Sequence, residues 1–230
     1  ELRELVDSRE LANWQGIGVR EEVRKDRYLG VFINSEDPLL SSKELRQALA
    51  YAIDKEKFDR HRSLSSISPL SWAYNPQVKP YDYNPERAKE LLAQLPAEQR
   101  KDLVIKLVTT PTLLSIADKI KEDWDAIGVN TQIQVSNTPP ADFQTLIAIQ
   151  IIPPDPDQYS FWHSTQTATN ITRYRNSRES QRIDKLLEDG RRTLSQDERK
   201  TIYLDFQRFL VEDSPVIFLF HPVTYTITRK

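Results

Sequence analysis

The sequence contains no cysteine, no methionine and only five glycines in 230 residues. The absence of cysteine excludes disulfides, thiolate metal sites and a cysteine nucleophile. So few glycines leave little material for phosphate-binding loops, and neither a P-loop nor a GxGxxG pattern occurs. Because even an initiator methionine is lacking, we expect the chain to be either an excised segment of a longer protein or an altered sequence.

Long apolar runs and a dominant charge sign are missing as well. The apolar stretch near the C-terminus, Val216–Phe220, is far shorter than the roughly 20 residues that span a bilayer. Lys and Arg number 32 against 34 Asp and Glu, and the signs are interspersed, so no basic field attracts nucleic acid or anionic lipid. We therefore expect no membrane-spanning segment and no nucleic-acid partner.

The remaining pattern alternates between strands and helices. Predicted strands cover 27–34, 103–110, 129–135, 149–152 and 216–220, with a polar extended tail over 224–229. Predicted helices cover 1–14, 41–53, 85–95, 111–127, 140–148, 180–191 and 195–213. Caps support several of them: Ser41 with Glu44, Asn84 before Pro85, and Gly128 at a C-terminal end. The alternation predicts an α/β fold with a mixed or mostly parallel sheet in one main domain.

Segment 150–174 is the densest functional candidate. It follows a predicted strand, and ligand sites in open α/β sheets lie beyond the carboxyl ends of strands. Aromatic rings (Tyr159, Trp162, Tyr174) alternate there with neutral hydrogen-bonding groups, which suits a polar, partly apolar ligand. A core helix followed by a polar loop accounts for the same composition.

The pair Asp155 and Asp157 offers a catalytic alternative. Two acidic residues around Pro156 could hold a divalent cation in an enzyme, with His163 nearby. A turn in which Asp157 caps a short helix explains them more simply. No histidine pair at helical spacing suggests a metal site. We expect no catalytic residue, no metal and no cofactor.

Several segments occur in a recognisable order. These are RQALAYAID at 46–54, followed by 72–76, 83–92, 116–135, 154–159 and 214–220. Together they resemble the distal lobe of extracellular solute-binding proteins of the peptide/nickel type, family 5. The resemblance covers about residues 20–230.

That resemblance implies a lobe of the type II periplasmic-binding-protein kind. The family is bilobal, closes over peptides or similar solutes, and delivers them to the permease subunits of an ABC importer at the extracellular face or in the periplasm. On this interpretation 1–27 is a lead-in helix and hinge-proximal segment, 28–213 the distal lobe, and 214–230 a return toward the hinge. The other lobe and any membrane anchor lie outside the chain, which we expect to be monomeric. A scaffold domain that has lost solute binding is the alternative.

One position departs from the family pattern. Its peptide binders often place an Asp four residues before the proline of the Pro-Asp-Pro turn, to pair with the ligand's amine. Counting back from Pro156, this position is Ile152. Isoleucine cannot pair with a buried ammonium. Unless Asp155 takes the role of the missing aspartate, a neutral or differently oriented ligand fits the sequence as well as a peptide does.

The candidate ligand-facing residues come from three regions. From segment 150–174 they are Gln150, Asp155, Trp162, His163, Ser164, Asn170 and Tyr174. Asn34, Thr109 and Thr110 join them, on the expectation that two predicted strands end at the same edge, and Trp72 is added from the irregular segment 59–84.

Overall fold

The computed structural model describes residues 2–5, 14, 16–58, 61–101, 103–175 and 177–229, arranged around two sheets. The strands are β1 (Leu2–Leu5), β2 (Ile17–Val23), β3 (Arg27–Ile33), β4 (Val104–Thr109), β5 (Asn130–Val135), β6 (Thr145–Ile151), β7 (Val216–Phe220) and β8 (Val223–Arg229). The main sheet has the order β5-β4-β6-β3-β7, and a smaller antiparallel sheet has the order β1-β8-β2.

Strand direction in the main sheet determines which loops meet. β4 runs parallel to both β5 and β6, whereas β3 is antiparallel to β6 and to β7. The class is therefore α/β with a mixed sheet, as the sequence predicts. The carboxyl ends of β4, β5 and β6 share one edge of the sheet, and β3 starts at that edge and ends at the opposite one.

Helices cover the main sheet. They are α1 (Lys43–Ala52), α2 (Pro85–Ala93), α3 (Ala97–Lys101), α4 (Leu114–Asp125), α5 (Tyr159–Trp162), α6 (Arg178–Arg192) and α7 (Gln196–Asp213). Asn84 caps α2 by accepting from the Arg87 N–H at 2.9 Å, as expected. The cap of α1 is Ser42, one residue later than predicted, and its side chain accepts from the Leu45 N–H. Within the described residues no helix is long and apolar enough to cross a bilayer.

A buried arginine ties α1 to the end of α7. Arg46 is 3% exposed and donates to the carbonyls of Leu40, Ser41 and Asp213 at 2.7–3.0 Å. A guanidinium carries five N–H donors, so one side chain satisfies several carbonyls that would otherwise be buried without partners. The first residue of the RQAL motif therefore supports the fold and not a ligand.

Several elements differ from the sequence prediction. Leu2–Leu5 is a strand where a helix over 1–14 is predicted, and 6–13 lie outside the described residues. β2 is not predicted at all, because its partner β8 lies about 200 residues later. The helix predicted over 140–148 is wrong: Thr145–Ile151 forms one continuous strand. A short apolar run carries no periodicity that separates a buried strand from a helix.

Candidate functional site

The main sheet has a gap at the edge where β6 ends. β4 pairs with β6 only at Leu107↔Thr145 and Val108↔Leu146. β6 then continues to Ile151, paired with β3 over its whole length. Within the described part of the chain, no strand pairs with the other side of β6 after Leu146.

The backbone groups that face this gap follow from strand alternation. The Ile152 N–H donates to the Asp26 carbonyl at 2.7 Å, and the Gln144 carbonyl accepts from the Asn34 N–H at 2.8 Å, both on the β3 side. Successive residues of a strand direct their N–H and C=O to opposite sides. The N–H and C=O groups of Ile149 and Ile151 therefore point into the gap.

A cavity of about 260 Å³ lies in the gap between β4 and β6. Its walls are Val108, Thr109, Thr110, Thr112, Leu113, Ser136, Pro139, Leu146, Ile147, Ala148 and Ile149. None of these described residues is charged. Next to it the side chains of Ile149 and Ile151 are 48% and 61% exposed, an unusual exposure for isoleucines on a sheet. The site is an apolar pocket with hydroxyl groups beside open strand backbone.

Two of the sequence candidates, Thr109 and Thr110, line the cavity at the end of β4. Gln150 lies on β6 outside this lining, and its Nε2 donates to the Ile151 carbonyl at 2.9 Å. Sequence reasoning missed Ile149 and Ile151, since an apolar strand reads as wholly buried. Their exposure depends on how far β4 pairs with β6, which the sequence does not encode locally.

The carboxylates near this edge are already paired with arginines. Asp155 contacts Arg199 at 3.1 Å, and Asp157 contacts Arg191 at 2.7 Å. Asp157 also accepts from the Tyr159 N–H at 2.9 Å, close to the expected capping role at α5. Among the described residues, no cluster of three His, Cys, Asp or Glu could hold a metal ion. The structure gives the Asp155/Asp157 metal hypothesis no ligand set.

Asp26 is part of a small ionic cluster. Its carbonyl accepts the hydrogen bond from the Ile152 N–H just after β6. Its carboxylate accepts from Arg24 at 2.7 Å and from Arg27 at 3.1 Å. These hydrogen bonds and charges hold the pKa of Asp26 far below its usual range, against a smaller opposing effect of burial. The group stays an arginine-bound anion and has little left to offer a ligand's ammonium.

The candidate residues in and after α5 contact other residues of the protein and do not line the cavity. Trp162 is 3% exposed, with Nε1 donating to Gln158 at 3.4 Å, and the ring of His163 stacks on Tyr159 with 4.0 Å between centroids. The Ser164 N–H donates to Asp184 at 2.8 Å. Asn170 is 3% exposed and donates to the Trp162 carbonyl at 3.2 Å. These contacts fasten the segment onto itself and α6.

Asn34 and Tyr174 lie at the opposite edge of the sheet. β3 runs against β4, so Asn34 at its end cannot meet Thr109, and the expectation that the two strands end together is wrong. The Asn34 side chain donates to the Phe143 carbonyl at 2.9 Å. Tyr174 donates to the buried carboxylate of Asp213 at 2.8 Å; burial first, and the nearby Asp213 charge second, raise the pKa of Tyr174.

Trp72 is half-buried against α7. Its ring meets Tyr203 edge-on with 6.5 Å between centroids, and the guanidinium of Arg199 lies 5.6 Å from its centre. Arg199 also pairs with Asp155 and therefore links Trp72 to the turn after β6.

Comparison with known proteins defines the family. The model of bacterial extracellular solute-binding proteins, family 5 Middle, matches residues 6–171, which is more than half of the chain. The chain belongs to this family. Family 5 proteins bind substrates for transport and are not enzymes, which confirms the expectation of a binding protein without catalysis and of a place outside the cytoplasm.

Individual family 5 relatives have low sequence identity to this chain, but their alignments cover most of it. The oligopeptide-binding protein AppA of Bacillus subtilis is 26% identical over 228 residues, which cover 85% of this chain and 41% of AppA. The structure of that AppA with a nonapeptide matches with a TM-score of 0.83 at 23% identity, over 98% of this chain and 50% of AppA. NikZ of Campylobacter jejuni, solved with Ni(L-His), matches with a TM-score of 0.84 at 24% identity, over 99% of this chain and 51% of NikZ. These structures establish the type of fold, and the chain spans about half the length of the proteins that it matches.

Proposed function

We propose that the protein is the substrate-binding component of an ABC importer, which captures an oligopeptide or a similar small polar solute. The solute is held between two lobes, of which this chain forms one, and is delivered to permease subunits at the extracellular face or in the periplasm. Membership of family 5 supports the general role. AppA is named as an oligopeptide-binding protein, which favours a peptide for this chain.

The open edge of β6 is the observation that supports a peptide most directly. The N–H and C=O groups of Ile149 and Ile151 face the gap beyond the last β4 pairing. An extended peptide can add to such an edge as a further strand, with main-chain hydrogen bonds giving affinity and neighbouring pockets giving specificity. Thr109 and Thr110 lie beside it at the end of β4, and the Gln150 amide already donates to the Ile151 carbonyl.

The amine of the solute is not held at the family's usual position. Ile152 is 5% exposed, and Asp155 is engaged by Arg199. A desolvated ammonium without a carboxylate partner is costly, so the amine of a bound peptide faces solvent or the other lobe. The solute's main chain, and not its terminus, is what this lobe recognises.

Proline at position 149 tests the main-chain contact. The Ile149 N–H faces away from β3, so Ile149→Pro removes a donor from the gap without breaking the β3–β6 ladder. In the full-length protein we expect Ile149→Pro to weaken binding of alanine tripeptides at least about tenfold, the equivalent of roughly 1.4 kcal/mol. Ile149→Ala keeps the N–H but trims the wall of the cavity. It is the matched comparison and should weaken binding clearly less than Ile149→Pro.

Calorimetry with both variants, each checked by thermal melting, decides between the outcomes. Equal weakening in the alanine and proline variants would assign the contact to the side chain and contradict main-chain pairing. If the wild-type full-length protein binds none of a broad set of peptides and histidine-chelated metals, the scaffold alternative replaces the proposal.

A further inference from the structure

We infer that the cavity between β4 and β6 is a specificity subsite that accepts one uncharged, mainly apolar side group of the solute. This inference rests on the proposed function, since the group reaches the cavity from a solute lying along β6. It assigns a substrate class: solutes that carry an aliphatic or aromatic group at one defined position.

The size of the cavity fits a single group. At about 260 Å³ it lies below the range of roughly 300–1,000 Å³ that holds a whole drug-sized ligand. Its apolar walls come from β4, β6 and the segments after β4 and β5, including Val108, Leu113, Pro139 and Leu146. Filling it removes apolar surface from water on both partners.

The lining excludes charge. The polar side chains in the wall are the hydroxyls of Thr109, Thr110, Thr112 and Ser136. All four already hydrogen-bond within the chain: Thr110 pairs with Thr112, and Thr109 and Ser136 donate to backbone carbonyls. A hydroxyl can accept or donate a hydrogen bond but cannot neutralise an ion. A lysine or aspartate side chain buried there would lose its hydration without gaining a counter-ion.

The position of the cavity connects it to the solute's path. Ile147, Ala148 and Ile149 of β6 form one wall, and the backbone of Ile149 faces the same gap. Successive side chains of an extended chain paired with β6 point to opposite faces of the sheet, so alternate side chains lie on the same face and the one nearest the last β4 pairing lies beside the cavity. One of them is placed to enter between β4 and β6.

A positional peptide set tests the subsite in the full-length protein. The probes are alanine tripeptides in which one position at a time carries leucine, lysine or aspartate, measured by calorimetry. At one position we expect the leucine peptide to bind at least about tenfold tighter than the lysine and aspartate peptides. At that position Ala148→Glu should shift the leucine-to-lysine preference by at least about tenfold toward lysine.

Two further variants keep the test decisive. Thr110→Glu places the same charge in the opposite wall and should shift the preference in the same direction, even if Ala148→Glu does not fold. Gln132→Glu on the exposed face of β5, outside the cavity, should leave the preference unchanged.

Peptides that bind without discrimination at any position would overturn the subsite while leaving the proposed function intact. Loss of the leucine preference in Gln132→Glu as well would overturn it too, because a general charge effect would then explain the shift. Failure of every peptide to bind would overturn the subsite together with the choice of a peptide as solute, whereas the proposed function fails only if histidine-chelated metals do not bind either.

Discussion

At the scale of single residues, one backbone angle decides how α4 connects to β5. Gly128 has φ +89°, with nothing within 4 Å of where a Cβ would stand, so strain and not crowding limits substitution. A β-branched residue resists positive φ, whereas asparagine tolerates it. We expect Gly128→Val to lower the free energy of unfolding by more than about 1 kcal/mol, and Gly128→Asn to lower it clearly less. Urea denaturation measures both; equal losses would contradict the conformational explanation.

His221 makes stability depend on pH. It is 4% exposed, and its Nδ1 donates to the Arg27 carbonyl at 2.7 Å. Burial, together with the charges of Lys25 and His61, lowers the pKa of His221 below the 6.5 of a free histidine, although the bond to Arg27 acts in the opposite direction. The unfolded chain therefore binds a proton at a pH where the folded chain does not, so this contribution to stability is present above about pH 6.5 and is lost as the pH falls.

The expected result is that the free energy of unfolding depends more steeply on pH in the wild type than in His221→Gln. Between pH 7.5 and 5.5 the wild type should lose more stability than His221→Gln, whose side chain is neutral throughout. Denaturant midpoints at the two pH values give the difference, in which the other titrating groups cancel. Parallel losses in the two proteins would mean that His221 is protonated equally in the folded and unfolded states.

At the scale of elements, Trp124 ties α4 to α1. Its side chain is fully buried, and its Nε1 donates to the Leu49 carbonyl of α1 at 3.0 Å. Trp124→Ala removes a large core volume and leaves that carbonyl without its donor, so we expect a loss of about 3–5 kcal/mol in denaturant melts. Leu194→Ala, at a side chain that is 98% exposed, is the control and should change stability by less than about 0.5 kcal/mol. A loss below about 1 kcal/mol for Trp124→Ala would contradict this packing.

Local signals explain which elements could be read from the sequence. The N-terminal cap at Asn84 and the left-handed glycine at Gly128 depend only on nearby residues, and these predictions are confirmed. The sequence does not predict β2 and predicts part of β6 as a helix, because the identity of both strands depends on partners distant in the chain. Strand direction has the same non-local origin, which is why Asn34 was placed at the wrong edge.

The candidate site, too, has features that the sequence predicts and features that it does not. Its place after a strand, with Thr109, Thr110 and Gln150, follows from a general property of α/β sheets. The buried state of Trp162 and Asn170 did not follow, because aromatic and amide side chains suit a ligand pocket and a satisfied core equally well. Only their partners, such as the Trp162 carbonyl that Asn170 contacts, separate the two.

At the scale of the whole molecule, the site is one-sided. The cavity and the open β6 edge face out of the sheet, and nothing within the described residues covers the exposed Ile149 and Ile151. The proteins of known structure that this chain resembles are about twice as long. If a second lobe closes over this edge, each lobe contributes part of the solute's contacts and closure also excludes water.

The last prediction concerns this division of contacts. Affinity is exponential in the summed interaction free energy, so losing even about 4 kcal/mol of contacts weakens binding roughly a thousandfold. We therefore expect the full-length protein to bind its preferred peptide at micromolar affinity or better, and this 230-residue chain to fold yet bind the same peptide about a thousandfold more weakly. Calorimetry on both proteins measures the difference, and thermal melting confirms that the shorter one is folded. Equal affinity would contradict the two-lobed interpretation, since it would place every important contact along β4 and β6 of this lobe.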